Sequence, residues 1–256
     1  MTAQTIRLYG IPLSHPVLAV RGMLERKGLA YRYVELLAGG HPLALWALGF
    51  RAATVPAMRL PSGRRVQGSL AIAQALEQIA PAPSLYPSAR AARAARAAAE
   101  NAERWGEAVL QPIPRRLIRW GLRRHLRQRQ WFATVASPLP APALAGWLLT
   151  PIVPLFVRQA NATDERVQQD LAELPALLDH VDELLGRGVI GGEDVGAADL
   201  QIASSVRMLL AMEDAGRLIV GRPAEAFALK VVPDYPPVPA TLPADWLQPR
   251  ASATDD

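Results

Sequence analysis

No cysteine occurs anywhere in the 256 residues. That removes disulfides, thiolate metal ligands, cysteine nucleophiles and dithiol redox chemistry, so any sulfur in this protein's chemistry belongs to a substrate. Histidine is nearly as scarce: four residues are scattered without a paired spacing, which argues against a metal centre. His15 and His41 read as polar surface groups in loops. A long clean apolar run is missing too. The longest, Leu139 to Val157, is broken by Pro140, Pro142, Pro151 and Pro154, which suits a spanning helix poorly. The first strand-like run, Ile6 to Tyr9, follows the initiator so closely that a secretory leader has no room. These absences predict a soluble, cytoplasmic protein with no transmembrane segment and no metal.

What is present is ample core material, with 50% of residues apolar, enough for one large domain or two ordinary ones. The net charge of +5 comes largely from arginine and permits attraction to anions without choosing among ligands, membranes and nucleic acid.

Residues 6 to 87 alternate between strand and helix patterns, as an α/β domain with some parallel pairing requires. Ile6 to Tyr9 is a short strand. Val17, Leu18, Val20, Met23 and Leu24 then recur at helical spacing up to Gly28, a natural stop. Tyr31 to Leu37 predicts a second strand, Leu43 to Leu48 a short helix, and Thr54 to Leu60 a third strand. Pro61-Ser62-Gly63 turns that strand into Arg64-Arg65-Val66, and a helix with Ser69 as its N-cap follows. The Pro/Ser-rich stretch Pro81 to Ser88 reads as a linker, dividing the chain into domains at 1–83 and 89–256. Beyond it the patterns are helical: Ala89 to Val109, an arginine-rich segment Arg115 to Arg129, Glu165 to Leu185, and a very apolar helix from Gly196 onward. The arginine-rich segment holds seven arginines and no acid, and such runs are usually solvated helix faces. It lacks a recognition motif or aromatic platform, so no specific nucleic-acid binding is expected of it. The tail after Pro233 reads as extended.

Several pieces in this order resemble the glutathione transferase superfamily. Leu8-Tyr9-Gly10-Ile11-Pro12-Leu13-Ser14 is similar to its first strand and active-site loop, and Leu24-Glu25-Arg26-Lys27-Gly28-Leu29 to the end of its first helix. Thr54-Val55-Pro56-Ala57 resembles its cis-proline loop, and Gly68-Ser69-Leu70-Ala71-Ile72 its Glu/Gln-Ser-x-Ala-Ile segment. Ala197-Ala198-Asp199 is similar to the Ser/Thr-x-Ala-Asp box that opens its buried helix, with Gly196 in place of the hydroxyl residue. Residues 111 to 160 match nothing in the family. The resemblance implies a thioredoxin-like N-terminal domain, an all-helical C-terminal domain, a homodimer, and glutathione or a related thiol as co-substrate for addition to a hydrophobic electrophile.

It also implies roles for residues. Ser14 would stabilise the thiolate at the first helix's N-terminus, although Ser before His-Pro is equally a plain helix start. Tyr9 is the rival hydroxyl, unless it is a strand tyrosine packed in the core. Val55 and Pro56 would pair with the peptide like an added strand. Gly68 and Ser69 would hold the γ-glutamyl end at a helix N-terminus, an anion site in its own right. Gly68 departs from the family's Glu or Gln, while Gln67 lies one place too early, which leaves the γ-glutamyl ammonium without its usual partner. The alternative is a non-catalytic member using the same fold as a binding or assembly module.

Overall fold

The computed structural model describes residues 5–87, 93–136, 146–147 and 150–247. Four strands, β1 (Ile6–Gly10), β2 (Tyr31–Glu35), β3 (Ala57–Arg59) and β4 (Arg65–Gln67), form one sheet in the order β2-β1-β3-β4. β1 and β2 run parallel, with Ile6 opposite Tyr31, and β3 runs antiparallel to both β1 and β4. The helix α1 (His15–Arg26) joins the parallel pair, as parallel strands require a crossover. α2 (His41–Ala47) precedes β3, and α3 (Ser69–Ile79) follows β4. The apolar faces of α1 and α3 close a core of Leu8, Val20, Met23, Met58, Ile72 and Leu76, while Leu45 of α2 packs with Tyr9 and Phe50.

The remainder is helical: α4 (Arg93–Trp105), continued by a π turn at Gly106–Leu110, α5 (Pro112–Arg124), α6 (Leu126–Ala136), α7 (Val153–Ala160), α8 (Asp164–Gly186), α9 (Ala197–Leu210) and α10 (Pro223–Val231). This is a thioredoxin-like sheet domain followed by a helical one. The described helices include none long and apolar enough to cross a membrane.

α9 explains its own composition. Ile202, Val206 and Leu209 belong to the helical core, while Ala197 and Leu200 belong to the sheet-side core, so apolar residues are needed nearly all round. Its start also explains Gly196. The Ala197 N–H donates to the Leu85 carbonyl at 2.8 Å, and a Cβ on Gly196 would lie 2.7 Å from that same oxygen. A serine or threonine cannot stand there. Asp199 still accepts from the Gly196 N–H at 2.8 Å, preserving the acidic half of the box.

Two expectations change. The N-cap of α3 is Gly68, with φ +88°, and Ser69 is the first helical residue, buried and bonded elsewhere. The arginine-rich segment is two helices broken at His125, whose backbone is extended, and it is a solvated face only in part: Arg123, Arg124 and Arg127 are exposed, while Arg115, Arg116, Arg119 and Arg129 are half-buried. Arg116 binds Asp170, Arg124 binds Asp164, and Arg129 donates to the Leu122 carbonyl. The tail beyond Pro233, read as extended, is docked on the helices: Val238 donates to the Ala211 carbonyl at 2.8 Å, and Ala244–Leu247 is a turn of 3-10 helix. Of the proline-rich stretch, 137–145 and 148–149 lie outside the described residues.

Candidate functional site

A cleft holding about 800 Å³ of space, part of it open solvent, lies between the sheet side and the helical side. The sheet side contributes the loop from Ile11 to Pro16, then Gly39, His41, Thr54 and Val55. Across from it stands one face of α5, where Arg115, Ile118, Arg119 and Leu122 recur at spacings of three and four. Trp131 and Phe132 from α6, Phe156 from α7 and Tyr235 complete the wall.

Ser14 is the N-cap of α1, with extended backbone, and its carbonyl accepts from Val17 and Leu18. Its hydroxyl makes no capping bond, which leaves it on the cleft wall beside the positive end of a 12-residue helix. Leu13 holds this loop in the left-handed region at φ +64°, and its carbonyl accepts a 2.7 Å hydrogen bond from the buried Tyr235 hydroxyl. Burial, opposed by the nearby Arg207, pushes the Tyr235 phenol well up, so it stays a donor. His15, next to Ser14, is turned away into the core. Its Nε2 lies 3.2 Å from the Gln111 carbonyl, and burial together with the charge of Arg115 lowers its pKa to about 3. It is neutral at physiological pH.

Tyr9 is buried among Leu36, Leu45, Phe50 and Ala57, its ring edge-on to Phe50 at 5.5 Å, and it does not line the cleft. Val55 does line it, and the Val55–Pro56 peptide is cis. Among the described residues the Val55 N–H and C=O have no hydrogen-bond partner, so a strip of backbone is open to an extended peptide. Gln67 holds the preceding loop: its side-chain amide donates to the carbonyls of Ala52 at 2.7 Å and Thr54 at 3.1 Å, and accepts from the Ala52 N–H at 2.9 Å. Gly68 donates to the Pro56 carbonyl at 3.0 Å, tying the start of α3 to the same loop.

Ser69 does not reach the cleft. Its hydroxyl donates to Glu107 Oε1 at 3.3 Å and lies 3.5 Å from Gln111 Oε1, which also accepts from Gln201. Glu107 is the residue that sequence reasoning missed. A Cβ on Gly68 would lie 3.7 Å from Glu107 Oε1, so a carboxylate from the helical side stands close to where a residue-68 side chain would begin. One helical turn back, Glu103 is buried against the Tyr86 hydroxyl at 2.7 Å, and burial raises its pKa to about 7. No local pattern marks Glu107 apart from the other acids of that helix.

Residues 8–84 match the family model described as "Glutathione S-transferase, N-terminal domain". Residues 8–84 are thus a glutathione transferase N-terminal domain, and the chain as a whole has the glutathione transferase fold. Solved glutathione transferases share its architecture along most of their length. GSTFuA3 from Phanerochaete chrysosporium is 22% identical, with a TM-score of 0.60 over 90% of this chain and 97% of that one. Rice GST1, solved in complex with glutathione, is 20% identical, with a TM-score of 0.55 over 96% and 86%. The β-etherase LigF from Sphingobium sp. strain SYK-6 is 17% identical, with a TM-score of 0.63 over 91% and 97%. At these identities the likeness is one of fold. A search of curated proteins found no match.

Proposed function

We propose that the protein adds the thiolate of glutathione, or of a closely related thiol, to a small electrophile bound in this cleft. The observation that carries the reading is the Ser14 hydroxyl: it caps nothing, it lines the cleft, and it stands at the N-terminus of α1. A free thiol titrates near 8.5, and each unit by which a donor and a helix end lower that value is worth about 1.4 kcal/mol of thiolate stabilisation. Ser14 supplies the donor, and Val55 beside Pro56 supplies a backbone edge for the peptide. At the far end the first N–H groups of α3, around Gly68 and Ser69, attract the γ-glutamyl carboxylate. Glu107 faces the same end and receives the ammonium, standing in for the acid that residue 68 lacks. Tyr9 takes no part. Residues 1–83 thus hold the thiol, and 89–256 furnish the wall for the electrophile. A homodimer belongs to the same reading, and sedimentation equilibrium at the mass of one chain would remove it.

A second reading is a non-catalytic binding module. It is favoured by the Ser69 hydroxyl, already engaged by Glu107 within the chain. Calorimetric titration with glutathione on the wild type and on Ser69→Ala separates the two. Binding weakened by Ser69→Ala, together with turnover lost in Ser14→Ala while binding persists, supports the transferase. No binding in the millimolar range removes glutathione as ligand.

A further inference from the structure

The helical wall of the cleft carries two cations without counter-charges. Arg115 and Arg119 sit one turn apart on α5 and both line the cleft. Neither forms an ion pair among the described residues. Arg119 donates to the Phe156 carbonyl at 3.3 Å, and Arg115 has no hydrogen-bond partner there at all. The contrast with Arg116 is instructive, since that neighbour is matched by the buried Asp170. Residues 137–145 and 148–149 contain no Asp or Glu.

Both guanidiniums are largely removed from water. Burial lowers the pKa of each, with the charge of Arg116 adding to the effect on Arg115 and that of Arg115 on Arg119, which falls to about 10. Glu107 is the acid that opposes this at Arg115, and its influence is the smallest of the three. Two adjacent cations still charged at neutral pH, half-desolvated and repelling one another, form a costly arrangement that a bound anion would relieve. Across the cleft, His41 is 4% exposed and its Nδ1 has no partner, a further polar atom on the wall left unmatched by the protein. Trp131, Phe132 and Phe156 give the same cleft aromatic surface, with the Arg119 guanidinium over the Phe156 ring at 5.8 Å.

We propose that the acceptor of this transferase is an aromatic electrophile carrying a carboxylate, with the carboxylate held by Arg115 and Arg119 and the ring laid against Trp131 and Phe156. Planar guanidinium groups match a carboxylate in shape as well as charge. The inference rests on the thiol-transfer reading for its chemistry, while the anion site stands on the arginines alone. For an aryl chloride activated by an ortho nitro group, the thiolate sulfur bonds to the carbon bearing chlorine, that C–Cl bond breaks, and chloride leaves with the electron pair. The thiol proton passes to water, and nothing is oxidised or reduced.

The test compares a chloronitrobenzoate with its uncharged amide as acceptors, in the wild type and in Arg115→Gln, Arg119→Gln and Arg119→Lys. Unreactive nitrobenzoate is titrated in parallel without thiol, and glutathione without acceptor. The expected result is a kcat/KM preference for the benzoate of about tenfold or more, as charge-assisted hydrogen bonds provide. Each glutamine variant removes most of that preference, Arg119→Lys keeps part of it, and amide turnover and glutathione affinity stay as in the wild type. Retained amide turnover also certifies the fold. Equal use of both acceptors, or a preference that survives both glutamine variants, overturns the proposal. So does a loss of glutathione affinity in these variants with the acceptor preference intact, which would assign the arginines to the tripeptide's own carboxylate. If neither acceptor is used but nitrobenzoate binds and Arg119→Gln abolishes that binding, the thiol-transfer reading fails and the anion site stands. If nitrobenzoate does not bind, the anion site fails.

Discussion

At the scale of single residues, two carboxylates of α4 and its π continuation, Glu107 and Glu103, each carry a prediction. Glu107 lies 3.3 Å from the Ser69 hydroxyl and faces the space left by Gly68. If it receives an ammonium, Glu107→Gln should weaken glutathione binding by roughly tenfold, the worth of a hydrogen bond to a charged partner. Calorimetry checks this, and tighter binding in the variant would mean that Glu107 obstructs the Ser69 end instead. Glu103 makes a pH prediction. Its folded pKa is raised to about 7, chiefly by burial, so the folded state holds a proton that the unfolded state releases near 4.5. Its contribution to stability is therefore full below about 4.5 and is lost as pH rises through about 7. Glu103→Gln should be more stable than the wild type at pH 8 by ~3 kcal/mol, at about 1.4 kcal/mol per pKa unit, and the gap should close near pH 4. Urea unfolding at the two pH values measures it. Ser14 was legible in the sequence because a strand, a loop and a Ser-His-Pro helix start are all local. Glu107 was not, because its importance comes from which helix packs over Gly68.

At the scale of elements, the start of α9 is the clearest case of a packing constraint overriding local preference. Ser or Thr is ordinarily as good an N-cap as any and better than Gly. Here Gly196→Ser should destabilise, because its Cβ would meet the Leu85 carbonyl at 2.7 Å and that oxygen is already fixed by the Ala197 N–H. Asp199→Ala should cost about 1–2 kcal/mol, since it strips partners from the Gly196 and Gly191 N–H groups. Thermal denaturation reads both, and a serine variant at least as stable as the wild type would mean that the segment holding Leu85 yields. The opening helices were readable from capping and period alone. α10 was not read, and the reading of the arginine-rich segment as a solvated face holds at Arg123, Arg124 and Arg127 but not at the arginines of the cleft. Ile118 and Leu122 share one face of α5 with Arg115 and Arg119, and a rule that sorts a helix into an apolar stripe and a charged face treats such cations as outward-pointing.

At the scale of the whole molecule, the cleft exists because distant segments meet. Tyr235 donates its hydroxyl to the Leu13 carbonyl, binding the C-terminal segment to the loop that presents Ser14 across 222 positions. Tyr235→Phe should lower stability by about 1 kcal/mol and speed hydrogen exchange at the Ser14 and His15 amides. Unchanged exchange would show that the loop is held without the tail. The sequence by itself determined the sheet domain, the buried helix α9 and the exclusion of cysteine chemistry, because these follow from residue type, from periods of two and 3.6, and from caps that act over a few positions. Only the tertiary structure decided that His15 is a neutral core residue and Tyr9 a packing group. It alone decided that Glu107 stands beside Gly68, and that two of the seven arginines of the arginine-rich segment line the cleft with no ion pair among the described residues. Charge pairing and burial are properties of contacts between segments far apart in the chain, and no local pattern encodes which of several like residues will meet its partner.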